Sequence, residues 1–255
     1  LFVGEKGLAD IGCRLLDSAA CFSGRQRTLC EAFGCVPYSS TARFYKRATD
    51  FLMHHGLSMI NDNLFVDSLS SFRKFCGCHA FRTPWTRHYG RLARHMQTLS
   101  YLNAGATLET ELGVYYPGLD AFARFGNPGT WIHQWRNYLD YRDPGWQQTQ
   151  RIIAHITHGL IRRQWNFYFL FDEVLQQAAA AGGALKVRSF ACRALILPGI
   201  RFLPPDVAET LSKFLASGGT IVSLGEAPSI LAEDGAVRPW RRPRTARFIR
   251  LDGAP

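Results

Sequence analysis

Apolar positions along this chain recur in two alternating rhythms, short runs and helical stripes. A run at 28–30 ends on Glu31 and opens into the loop 32–40. Ser40 or Thr41 can cap a helix on which Phe44, Ala48, Phe51, Leu52 and His55 recur at helical spacing, and Gly56 closes it. Residues 57–60 read as a short buried strand that opens into Asn61-Asp62-Asn63, with a long loop to about Pro84. A further helix carries Tyr89, Leu92, Met96, Leu99 and Leu102 on one stripe, with Gly105 past its end.

The alternation then repeats. Residues 112–116 read as a strand stopped by Pro117-Gly118, and 120–146 as an irregular loop or lid rich in Trp, Tyr, Asn, Pro and Gly. A helix follows through Ile152, Ile153, Ile156, Leu160 and Ile161, then a strand at 167–170 and a helix at 172–181 ended by Gly182-Gly183. Residues 194–197 make a strand, Pro204 or Pro205 starts a helix carrying Val207, Leu211, Phe214 and Leu215, and 220–224 make another strand. Strands separated by crossover helices predict parallel sheets. A boundary near 103–107 divides the chain into 1–103 and 104–235, with 236–255 as a basic tail or the start of a further β domain outside the core.

Composition narrows the class. Of 255 residues, 47% are apolar and 20% charged, which suits a globular core and excludes disordered or collagen-like chains. No apolar run reaches the ~18 residues of a membrane helix. Residues 1–15 lack the pattern of a secretory signal, and the opening Leu1-Phe2-Val3-Gly4 reads like the middle of a longer protein. Half of the net charge of +10 lies at the end, where six arginines between 238 and 250 face Asp252 alone, and the rest is spread thinly. Of the 30 basic residues 25 are Arg, a ratio that points to coding bias. No basic helix face is interleaved with exposed aromatics, so no nucleic-acid partner is expected, and no membrane.

Seven cysteines, an odd number in a chain too large to need staples, argue against a disulfide framework. Cys76-Gly77-Cys78-His79 is one close pair without the second pair that a structural zinc site needs, and His155 and His158 have no third ligand nearby. No metal is therefore assigned. Leu224-Gly225-Glu226 follows a strand but lacks the G-x-G-x-x-G spacing, so no nucleotide is assigned either.

Several stretches together resemble one family. Arg27-Thr28-Leu29-Cys30-Glu31-Ala32-Phe33-Gly34 resembles the strand-end acid of a (β/α)8 glycosidase. His55-Gly56-Leu57-Ser58-Met59-Ile60-Asn61 resembles the entry into the last barrel strand, and Pro84-Trp85-Thr86-Arg87-His88-Tyr89 through Leu99-Ser100-Tyr101-Leu102 the closing barrel helix. Ala194-Leu195-Ile196-Leu197-Pro198 and Ala216-Ser217-Gly218-Gly219-Thr220-Ile221-Val222 resemble the α/β domain that follows such a barrel. In this order, over most of residues 10–230, the pieces resemble the α-L-rhamnosidase group, glycoside hydrolase family 106.

The resemblance implies an α/β fold. It consists of the C-terminal portion of a (β/α)8 TIM-like barrel, then a flavodoxin-like or glutamine-amidotransferase-like three-layer α/β domain. It implies a glycosidase working by carboxylate acid/base catalysis as part of a longer chain, on an oligosaccharide or other glycoside. The alternatives are a β-galactosidase-like enzyme, because barrel plus α/β domain occurs there too, and a non-catalytic carbohydrate-binding relative. The family's His shortly after the strand-ending Asn has no counterpart in Asn61-Asp62-Asn63-Leu64, a departure that bears on sugar specificity.

Glu31 is the catalytic candidate. Residues at the carboxyl ends of barrel strands face the active site, and glycoside hydrolysis needs two carboxyl groups. The competing reading is a Glu that caps the following turn or pairs with Arg27. Its partner carboxyl belongs to an earlier strand or, less directly, to Asp62. Asn61, Asp62 and Asn63 suit sugar hydroxyls, or equally a turn. Tyr38 and Trp85 offer aromatic faces to a sugar ring, or pack in the core. The aromatics Trp131, Trp135, Tyr138, Tyr141 and Trp146 form a lid or pack between domains. No cofactor is called for here, and a calcium ion held elsewhere in the full-length protein stays open. The sequence leaves oligomeric state and compartment open; free cysteines favour the cytoplasm slightly over a secreted or periplasmic setting.

Overall fold

The structure, a computed structural model, describes residues 8–34, 36, 39–63, 65–66, 79–80, 84–124, 144–243 and 247–251. The chain divides into two compact units, 1–107 and 108–255.

In the first unit, α1 (Leu8–Phe22) leads to strand β1 (Leu29–Ala32), helix α2 (Ala42–His54) and strand β2 (Met59–Asp62). β1 and β2 are parallel, with Leu29 opposite Met59, Cys30 opposite Ile60 and Glu31 opposite Asn61, so Glu31 and Asn61 share one end of the ladder as the β-α-β reading requires. The long loop expected after Asn63 contains a short parallel pair, β3 (Phe65–Val66) with β4 (His79–Ala80). A 3-10 turn at Thr86–His88 then runs into α3 (Tyr89–Asn103).

The local chemistry explains these boundaries. Thr41 accepts a hydrogen bond from Phe44 N at 3.3 Å, which caps α2. Gly56, with φ +101°, turns the chain out of the helix. The starts of the two strands are cross-linked: Ser58 Oγ accepts from Thr28 N at 2.8 Å, and Thr28 Oγ1 accepts from Ser58 N at 2.9 Å. Asn103 Nδ2 donates to the carbonyls of Met53 and Leu57, both at 2.8 Å, so the last turn of α3 holds the α2–β2 connection. Between sheet and helices Cys13, Cys30, Ala32, Phe33, Tyr45, Ala48, Leu52, Leu57 and Leu92 form one buried cluster.

Helix α1 is not evident from the chain's apolar pattern. Its buried positions include Arg14 and Ser18, which break an apolar stripe. Asp17, 17% exposed, lies beside Arg14 at 3.8 Å. Burial pushes the Asp17 carboxyl up to about 6, with Arg14 pulling the other way. The folded chain therefore holds a proton that the unfolded chain releases near pH 4. Stability falls as pH rises from about 4 to about 6, by at most about 3 kcal/mol, because each tenfold change in proton affinity is worth ~1.4 kcal/mol. Melting curves across this range should show that fall, and Asp17→Asn should flatten it; parallel curves for the two proteins would refute the assignment.

The second unit is built on a five-stranded sheet. In chain order its strands are β5 (Leu112–Tyr115), β6 (Tyr168–Leu170), β10 (Ala194–Leu197), β12 (Thr220–Leu224) and β15 (Arg247–Leu251). Across the sheet they lie β15-β12-β10-β5-β6, every pair parallel. Val114, Tyr115, Phe169, Leu195, Leu197 and Ile221 are buried along these strands, as a covered parallel sheet requires. Helices α4 (Gly118–Arg124) and α5 (Pro144–Arg162) connect β5 to β6, so residues 120–124 and 144–146 of the expected loop are helical. Helix α7 (Pro205–Ala216) starts at Pro205 and buries Val207, Leu211, Phe214 and Leu215. The apposition of 112–116, 194–197 and 220–224 as parallel neighbours agrees with the sequence reading.

Two expectations are corrected here. The predicted helix 172–181 is only α6 (Asp172–Gln176); the alanines that follow enter β7 (Ala179–Ala181), which pairs antiparallel with β8 (Ala184–Val187) and through it with β9 (Phe190–Cys192). Gly182 and Gly183 both have positive φ and form the hairpin turn, so turn chemistry overrides the helical propensity of alanine. Of the segment 236–255, the described residues 237–239 and 247–251 join the sheets of the second unit and do not lie outside it. Strand β11 (Phe202–Leu203) joins β13 (Ser229–Leu231) and β14 (Val237–Pro239) in a small sheet, and β15 returns to the edge of the large one. Trp240 is buried with its indole N–H donating to Ser212 Oγ at 2.9 Å, and the Arg242 guanidinium lies 3.9 Å from the centre of the Phe248 ring. Burial of Trp240 and the β12 ladder draw this basic segment back.

Cys13, Cys21, Cys30 and Cys192 are free thiols. Burial pushes the Cys192 thiol up to about 12 and raises Cys30, which suits packed, unreactive side chains. Among the described residues no three of His, Cys, Asp and Glu gather as a metal site would need, and no helix is long and apolar enough to cross a membrane. Cys76, Cys78, Trp131, Trp135, Tyr138 and Tyr141 lie outside the described residues, and of Trp146 only the backbone is described.

Candidate functional site

The carboxyl ends of β1 and β2 gather four of the six residues singled out from the sequence. Successive side chains of a strand point to opposite faces, and the register fixes which share a face. Leu29, Glu31 and Asn61 are on the open face, with Leu29 55% exposed and Glu31 and Asn61 also exposed. Cys30 and Ala32 are on the other face, buried against the helices.

Asp62 follows Ala32 in register, so it points toward the helices. There the hydroxyl of Tyr89, on the first turn of α3, donates to its Oδ2. Burial and this hydrogen bond hold the Tyr89 hydroxyl well above the ordinary tyrosine range, so it stays a donor. Asp62 thus ties strand β2 to α3 and does not face Glu31. In the sequence Tyr89 is one member of a helical stripe; nothing in its spacing announces the hydrogen bond.

Asn63 lies just beyond β2 and turns back toward Glu31. Its backbone N–H donates to the Ala32 carbonyl at 3.0 Å, and its side-chain Nδ2 donates to Glu31 Oε1. Phe33, directly after β1, is buried at φ +66°. A bulky residue in the left-handed region carries a strain of about 1–3 kcal/mol that its packing must offset. Its ring packs edge-on against Tyr45, centroids 5.0 Å apart. This bend brings Gly34 alongside Asn63: a Cβ at position 34 would lie 3.7 Å from Asn63 Nδ2.

Trp85 is half-buried. Its indole N–H donates to the Ser40 carbonyl at 3.2 Å, and its ring lies 4.9 Å from that of Tyr45, centre to centre. These contacts belong to packing between α2 and the start of α3. Tyr38 lies outside the described residues. His55 is buried at the end of α2 with Nδ1 2.7 Å from the Phe51 carbonyl.

The second unit has its own acidic groups at the strand ends, and these bind the backbone. Asp172 accepts from the Tyr115 hydroxyl and, at 2.9 Å, from Leu119 N. Asp120 accepts from Arg201 N at 2.9 Å and Phe202 N at 3.0 Å. Burial raises both Asp172 and the Tyr115 hydroxyl. These contacts fix the loops that follow β5 and β6.

No protein-family profile and no curated protein sequence matches the chain. Solved structures share its fold. The β-galactosidase from Bacillus circulans sp. alkalophilus matches with a TM-score of 0.62 at 17% identity, over 92% of this chain and 32% of that one. The cold-adapted β-galactosidase from Rahnella sp. R3 matches with a TM-score of 0.61 at 15% identity, over 92% and 33%. The rhamnosidase from Novosphingobium sp. PP1Y matches with a TM-score of 0.54 at 14% identity, over 84% and 19%. The chain spans about a third of the length of these β-galactosidases and less of the rhamnosidase. At such identities the likeness is one of fold: the chain has the parallel α/β architecture of part of these glycosidases.

Proposed function

We propose that the full-length protein is a glycoside hydrolase in which Glu31 supplies one of the two catalytic carboxyl groups. The observation that carries this reading is the placement of Glu31. It stands at the carboxyl end of a parallel β-α-β unit, on the open face, in register with Asn61, within a fold shared with glycosidases. In such a reaction one carboxyl group protonates the leaving oxygen while the other attacks the sugar or activates water. Asp62 points to the helices, so the second carboxyl comes from outside β1 and β2. Residues 1–103 then form the last part of a barrel, as the likeness to larger glycosidases supports.

The three-layer reading of the second unit draws on its strand order. Counted in chain order the sheet runs second, first, third, fourth, fifth, all parallel, an order that favours the flavodoxin-like reading. This order supports a doubly wound three-layer domain.

Two specificities fit. The resemblance to family 106 favours α-L-rhamnosidase, and the β-galactosidase structures favour a β-galactosidase. A screen of the full-length protein with p-nitrophenyl α-L-rhamnoside and p-nitrophenyl β-D-galactoside separates them. Turnover of either supports a glycosidase, and binding of the free sugars without turnover of any nitrophenyl glycoside points to the non-catalytic relative.

A further inference from the structure

We propose that Asn63 is a positioning residue for Glu31 and not a ligand for sugar hydroxyls; this rests on the glycosidase reading. Asn63 Nδ2 donates to Glu31 Oε1 and so holds one end of the carboxylate. The amide itself is held. Its backbone N–H bonds the Ala32 carbonyl at 3.0 Å, one step beyond the last β1–β2 register pair, so Asn63 is anchored to the residue that follows Glu31. Gly34 lies alongside, where an added Cβ would stand 3.7 Å from Nδ2. The other end, Oδ1, is buried and has no hydrogen-bond partner among the described residues. The contact that sets the orientation of this side chain is therefore its donation to Glu31.

A glutamate at an exposed strand end has three free torsions and many rotamers. A fixed N–H donor on one carboxylate oxygen selects among them. Small losses of alignment at a reacting group cost about 10²-fold in rate. Asn63 acts through Glu31, so its removal should appear in kcat.

Asp is the informative substitution. Asn and Asp form turns equally well, because both bond their own backbone there. Only Asn brings an N–H to the carboxylate; Asp brings a second acceptor of the same shape. In the full-length protein, Asn63→Asp should lower kcat for the nitrophenyl glycoside turned over by about 10²-fold, with KM and melting temperature close to those of the parent. Asn63→Ala should lower kcat as well, by a smaller factor. An unchanged kcat in Asn63→Asp would return Asn63 to a turn residue, and a raised KM with unchanged kcat would make it a sugar ligand; either outcome overturns the proposal.

A second readout is independent of turnover. With 15N-labelled asparagine side chains, Glu31→Ala should shift the Asn63 amide resonances, which lose their acceptor. Unmoved resonances would overturn the pairing. A shift in a protein that cleaves no glycoside would instead leave the pairing standing and remove the glycosidase reading.

Discussion

Glu31→Gln in the full-length protein should abolish glycoside hydrolysis while leaving the melting temperature nearly unchanged. Gln keeps the length of the side chain and an Oε1 that still accepts from Asn63 Nδ2. It removes the negative charge and the basicity, the two properties through which a carboxylate attacks a sugar or activates water. General acid–base help alone is worth about 10²–10⁴ in rate, and a nucleophile's loss costs at least as much. Glu31 is exposed, and exposed substitutions of this kind usually stay within about 0.5 kcal/mol of stability. A rate assay and a melting curve therefore separate a catalytic carboxylate from a turn residue. Activity retained in the Gln variant would take Glu31 out of the mechanism and leave the non-catalytic reading. Loss of activity together with a large fall in melting temperature would count against the exposed placement itself.

The parts of the fold that are legible in the sequence are those where local signals agree. Thr41, the 44–55 apolar stripe and Gly56 all announce α2, and the helix runs from Ala42 to His54. A strand on each side of such a helix leaves one common topology, and that topology puts Glu31 beside Asn61. The misses arise where one signal masks another. In α1 the buried positions include Arg14 and Ser18, whose polarity hides the stripe. In the alanine tract a Gly-Gly turn outweighs helix propensity. In β15 Arg247 and Arg250 stand among Phe248, Ile249 and Leu251 on an edge strand, and their charge resembles a tail.

The candidate site shows the same division. A period of two puts Glu31 and Asn61 on one face once the register is known, and places Asp62 on the other. That second consequence is easily missed, because three adjacent polar residues at a strand end look like one cluster. The pairings of Asp62 with Tyr89 and of Asn63 with Glu31 cross 27 and 32 residues of sequence. No spacing rule reaches that far; they depend on where α3 packs and on the bend at Phe33.

Gly56→Ala should be the most damaging small substitution in the first unit, at about 2–5 kcal/mol, from strain and overpacking together. Its φ of +101° lies where side chains other than glycine's are strained. A Cβ there would also stand 2.5 Å from the Asp17 carboxyl carbon and 2.6 Å from its Cβ, so α1 or the α2–β2 connection must give way. That connection is the one Asn103 clamps and Ser58 registers, and it leads directly into the strand that carries Asn61. Gly105 provides the control. Its φ is +73°, but a Cβ there meets nothing within 4 Å, so Gly105→Ala isolates the conformational part, about 1 kcal/mol or somewhat more. The excess at Gly56 measures the contact with Asp17. Asp17→Ala in the Gly56→Ala background should recover part of that excess, because it removes the carboxyl that the new methyl strikes while keeping the Cβ 2.6 Å away. Equal losses at the two glycines in denaturant unfolding, with no recovery from Asp17→Ala, would mean that α1 does not press on the turn before β2.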